Sequence, residues 1–113
     1  MYCYSLRIDV INENQIHQIN EILGVNSNYL GEIWELEIIR KEGDTPFYFV
    51  DHFLSLLKGK YEKLEAINVL RENIAIWILY EYEDQCNMEF SPREMKELGT
   101  NGITLCISCW EKE

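Results

Sequence analysis

The chain has 113 residues, of which 20 are acidic and 10 basic, so its formal net charge is −10, and 47% of its side chains are hydrophobic. That length suits a single domain spanning residues 1–113, and that apolar content can build a core, which argues against wholesale disorder. An acidic surface repels phosphate backbones and anionic lipid, the longest apolar run (Ile74 to Tyr80) is far short of the ~20 residues a membrane span requires, and the opening residues lack a basic, then apolar, leader; a soluble cytoplasmic protein that binds neither nucleic acid nor membrane is expected.

The first apolar alternation, Tyr2, Tyr4, Leu6, Ile8 and Val10, has the period of two that marks a strand with one covered face. A helix should follow. Asn12 is a cap, Gln15 is the return partner of a capping box, Ile11 and Ile16 occupy the hydrophobic-staple positions, and Gly24 is the stop. After a polar loop, residues Ile33 to Arg40 alternate again, with Trp34, Leu36 and Ile38 on one side and Glu35 and Glu37 on the other. Thr45 before Pro46 reads as the cap and first position of a second helix whose stripe is Phe49, Val50, Phe53, Leu54 and Leu57. A third helix is expected from Tyr61 to Glu72. The strand from Ile74 to Tyr82 is apolar on both faces near its middle, as an interior strand is. Ser91 as cap, Pro92 at the first position, Glu94 closing a capping box, Phe90 and Met95 as staple and Gly99 as stop define a short fourth helix. The last strand is expected from Ile103 to Trp110.

Strand, capping box, staple, Leu-Gly pair and strand thus occur at both ends of the chain. Asn12 and Ser91 are offset by 91 − 12 = 79 residues and Gly24 and Gly99 by 99 − 24 = 75, a difference of about one helical turn. The pattern predicts an α+β fold, a ferredoxin-like sandwich of two βαβ units with a helical insertion between strands 2 and 3. The alternative is a mixed sheet whose second face is covered by the middle helices.

The opening Tyr4-Ser5-Leu6-Arg7-Ile8, the Leu23-Gly24-Val25 stop, Trp34-Glu35-Leu36, the amphipathic segment from Val50 to Leu57, and above all the stretch from Phe90 to Gly99 leading to Ile103-Thr104-Leu105-Cys106-Ile107 resemble a bacterial domain-of-unknown-function family, the one numbered 4279. The resemblance covers most of the chain and implies a small, mostly single-domain protein. It brings no catalytic residues.

Cys106 and Cys109 have a Cys-x-x-Cys spacing, which in a knuckle or at a helix start would suggest zinc or redox chemistry. Within a strand, residues three apart point to opposite faces, and the chain has no second such pair. Only a Cys3 on a neighbouring strand, close to Cys106, could lend the pair a metal or redox role. Reduced, mostly buried thiols at Cys3, Cys86, Cys106 and Cys109, with no metal and no cofactor, are the expectation. His17 reads as a solvated helix residue and His52 as a partly buried imidazole bonded to a neighbour; a small-ligand pocket near Tyr48, Asp51 and His52 is the weaker reading. No Ser or Cys stands in a nucleophile elbow and no glycine-rich loop would cradle phosphate, so no catalytic residue is assigned and no enzyme is expected.

If the helices lie on one side of the sheet, Trp77, Trp110, Arg7, Glu35, Glu37 and Glu81 share the other, with aromatic anchors ringed by charge as in a protein-binding patch. If the middle helices cover that face, the tryptophans are core; strand order decides, and the sequence does not contain it. The leading expectation is a non-enzymatic module, an immunity- or inhibitor-type partner of a basic protein, using those six residues. A homodimer or other homo-oligomer, or a small-ligand sensor, is the alternative.

Overall fold

In the computed structural model, which describes residues 2–113, the first strand of the chain lies inside the sheet. β1 (Tyr2–Asp9) pairs antiparallel with β2 (Ile33–Arg40) on one side and with β3 (Ile74–Tyr82) on the other. β3 in turn pairs in parallel with β4 (Thr104–Glu111), so the order is β2-β1-β3-β4. The fold is α+β with a four-stranded mixed sheet, and a ferredoxin-like arrangement is not confirmed by this order. The first of the two expected βαβ units is the reason: β1 and β2 run antiparallel, and only β3 and β4 form a parallel crossover.

That antiparallel return is built by a loop. α1 (Glu13–Leu23) ends at Gly24, whose φ of 74° needs no Cβ, and the following segment carries the chain to the end of β1, where Ile33 pairs with Asp9. Asn20 holds it there: its Oδ1 accepts from the Ser27 N–H at 2.9 Å and from the Trp34 Nε1–H at 2.8 Å.

The remaining helices are α2 (Phe49–Leu57), α3 (Tyr61–Ala66) and α4 (Pro92–Asn101). Ile16 and Ile19 of α1, Phe53 and Leu57 of α2, Leu64 of α3 and Leu98 of α4 share one core with Leu6, Ile8, Trp34, Ile76 and Ile78. The register places those five sheet residues on one face, so all four helices cover the same side. No helix among the described residues is long and apolar enough to cross a membrane.

Several local expectations need correction. α2 begins at Phe49 and not at Pro46, because the Thr45 hydroxyl and carbonyl both accept from the Arg40 guanidinium instead of capping a helix. α3 ends at Ala66 where Asn68 turns into the left-handed region at φ 65°, and a 3₁₀ turn, Arg71–Asn73, leads into β3. α4 runs through Gly99 and stops at Gly102, φ 69°. Ile11 and Met95, expected to be packed in the two staples, are largely exposed. The Asn12 cap and the Ser91–Glu94 capping box are as expected, Asn12 accepting from the Gln15 N–H, but Gln15 closes no box at α1, because its Oε1 accepts from the Ile11 N–H, one residue before the cap. The true stops, Gly24 and Gly102, lie 102 − 24 = 78 residues apart, so the two helices correspond in length although the strands they join do not correspond in direction.

Candidate functional site

The sheet face without helices gathers Cys3, Ser5 and Arg7 from β1, Glu35 and Glu37 from β2, Trp77, Leu79 and Glu81 from β3, and Cys106 and Trp110 from β4. One row runs straight across the sheet as Glu37, Ser5, Trp77 and Cys106. The tryptophans of β3 and β4 are therefore not core; Trp34 alone is.

At the centre of this face the chain builds a closed polar network. Ser5 is 0% and Glu35 8% exposed, and Glu35 Oε2 accepts from the Ser5 hydroxyl at 2.7 Å and the Arg7 Nε–H at 2.8 Å. The Arg7 guanidinium lies over the Trp77 ring, 4.6 Å from its centroid. A carboxylate without water needs such partners, and a guanidinium pressed on an indole gains cation–π attraction. Glu35 is thus buried beneath a half-buried Arg7, while Glu37 is exposed, Trp77 and Glu81 are half-buried, and Trp110 is 43% exposed. The Trp110 Nε1–H points at Glu81 Oε2, 3.4 Å away. All six residues expected at the binding face lie on it, in two tiers.

The cysteine expectations divide, and none of the four thiols is fully buried: Cys3, Cys86 and Cys106 are half-buried and Cys109 is exposed. Cys106 and Cys109 do point to opposite faces, Cys106 opposite Trp77 on the bare side and Cys109 opposite Tyr80 on the helix side. Cys3 is not beside Cys106, because β3 separates β1 from β4, which puts two strand spacings, about 10 Å, between them. Burial, with Glu37 and Glu35 nearby, pushes the Cys3 thiol up, the opposite of an activated thiolate.

On the helix side, sequence reasoning missed a cleft of about 770 Å³ floored by Tyr2, Tyr4, Tyr80 and Phe47. Tyr2 and Tyr80 face each other across β1 and β3 and stack with centroids 4.1 Å apart. Their shared parity is visible in the sequence, but their meeting requires the register. Burial raises the Tyr2 and Tyr4 phenols. Two of the three cations at its rim are engaged, Arg40 with Thr45 and Phe47, and Lys112 with Glu83 at 3.6 Å; the third is Lys41.

The expected pocket around Tyr48, Asp51 and His52 is not formed. Tyr48 and His52 are exposed, the His52 ring packs edgewise on Phe53, and a shallow cleft of about 400 Å³ between α2 and α4 takes in Asp51 but neither of the other two. Asp51 itself is held by Arg93 at 3.1 Å. His17 is exposed, as expected.

No family model matches the chain, nor does any curated protein or solved structure resemble it significantly.

Proposed function

We propose that the chain is a non-enzymatic, cytoplasmic protein-binding module that takes a partner with a basic surface on its bare sheet face, in the manner of an immunity or inhibitor protein; its likeness to family 4279 is part of that proposal. What supports the reading is that all four helices pack on one side and leave Trp77, Leu79 and Trp110 on the other without cover. An aromatic centre with a charged rim is the usual composition of an interface core and its border. Asp9, Glu35, Glu37 and Glu81 against the single base Arg7 make the face acidic, within a chain of net charge −10, and charge of that sign accelerates encounter with a basic protein.

The supporting tier also has a role. Ser5, Glu35 and Arg7 hold Trp77 flat from one side, so the aromatic surface is preorganised and little side-chain freedom is lost on contact.

The test is capture from the native cytosol on immobilised protein at low salt, repeated at high salt and with Trp110→Ala and Glu37→Lys. A basic protein retained in near-equal amount, released by salt and lost with either variant, is the expected result. Retention unchanged by both variants removes this face from the binding site, and recovery of the chain alone removes the partner.

A further inference from the structure

The two edges of the sheet are treated differently. Along the outer edge of β2 the loop after α1 supplies hydrogen bonds: the Ser27 Oγ accepts from the Glu35 N–H at 2.9 Å, the Asn28 N–H donates to the Glu35 carbonyl at 2.7 Å, and the Asn28 Oδ1 accepts from the Glu37 N–H at 2.7 Å. That edge is covered where a passing strand would pair. The β4 edge has no such cover.

Its phase follows from one bond. The Lys112 N–H donates to the Tyr82 carbonyl at 2.7 Å, so even-numbered residues of β4 turn their backbone groups toward β3 and odd-numbered ones turn theirs outward. The N–H and C=O groups of Leu105, Ile107 and Cys109 therefore form an open row, and no partner for them exists among the described residues. The devices that usually protect an edge are missing from it. β4 contains no proline, no lysine and no bulge in its register with β3, and it presents Ile107 at 45% exposure.

Charge selects the occupant. From Leu98 to Trp110 no residue is charged, the longest such run in a chain of net charge −10. Two copies of β4 meeting here bring together no charge except the Glu111 that ends each strand, so acid is not set against acid along its length. A basic partner, by contrast, gains nothing from this strip.

We propose that β4 pairs with β4 of a second copy, antiparallel about a two-fold axis near Ile107, joining the two sheets into one of eight strands. An axis there overlaps the strands fully and sets Leu105 opposite Cys109 of the second copy, closing about six backbone hydrogen bonds. Each strand offers what the other lacks, so the contact closes on itself and goes no further. The two bare faces then form one continuous surface, with both Trp110 side chains near its middle. This inference does not depend on a basic partner.

The experiment is light scattering on the purified full chain from about 1 to 100 µM, at low and high salt. The expected mass is twice the 13.5 kDa of the chain, and salt should leave the dimer intact or favour it, because it screens the repulsion between two acidic bodies. A mass of one chain across that range overturns the proposal. Ile107→Pro removes one outward N–H while sparing the bonds to β3, so it should yield a folded monomer by circular dichroism. Ile107→Lys, which adds a charge to the same exposed position, is the second variant and should also be monomeric. A dimer that survives in either folded variant overturns the assignment to β4, whatever becomes of the basic partner.

Discussion

Gly99 and Gly102 lie three residues apart and do opposite work. Gly102 ends α4 at φ 69°, and an added Cβ would also reach the Arg71 side chain at 3.5 Å. Gly99 sits inside the helix, where a Cβ meets nothing within 4 Å. Gly102→Ala should therefore destabilise the protein by about 1 kcal/mol and Gly99→Ala stabilise it by about 0.5–1 kcal/mol, measured by urea denaturation. Equal effects would mean that the stop had been misplaced. Caps such as Asn12 and Ser91 are legible in sequence because their hydrogen bonds reach only three residues along the chain. The staples were not, since whether Ile11 and Met95 find a neighbour depends on the direction in which the chain arrives.

Between elements, one ion pair ties α2 to α4. Arg93 donates to Asp51 Oδ1 at 3.1 Å and to Oδ2 at 3.3 Å, and also reaches Glu97 at 3.0 Å. The hydrogen bond from Arg93 holds the Asp51 carboxyl below the usual carboxylate range. A depressed folded pKa contributes stability above the unfolded value and loses it as pH falls through the folded one. Wild type should therefore melt above Asp51→Asn near neutrality, and the gap should close on acidification below about pH 5. A gap that does not narrow as the pH falls would assign the effect to something other than this charge. The pair is exposed, so the difference in Tm should be small and should shrink with salt. Helix stripes such as Phe49, Val50, Phe53, Leu54 and Leu57 were read correctly because amphipathic spacing is local, whereas the start of α2 was decided by Arg40, which takes Thr45 for itself.

For the molecule as a whole, β1 is the element on which both halves depend. It pairs along nearly its full length with β2 and with β3, so neither the first 40 residues nor the rest contains a complete sheet. Unfolding in urea should be one transition, with tryptophan fluorescence and far-ultraviolet circular dichroism coincident, and a fragment beginning after β2 should not fold. Two separated transitions would contradict a single core built around β1. The same topology explains the candidate site. Trp77 and Trp110 were visible as aromatic residues on one strand parity, yet whether that parity faced water or helices depended on all four helices choosing one side.

What the amino-acid sequence determined by itself was the identity of nearly every element, the caps of α1 and α4, the core stripes and the residues that share each strand face, because each is set by spacings of two to four residues. The strand order, the antiparallel return of β1 into β2, the burial of Glu35 under Arg7 and the open β4 edge were decided only in the tertiary structure. Those depend on contacts between residues roughly 30 or more apart, such as Ser5 with Glu35 and Arg71 with Asn101, whose partners no local pattern names.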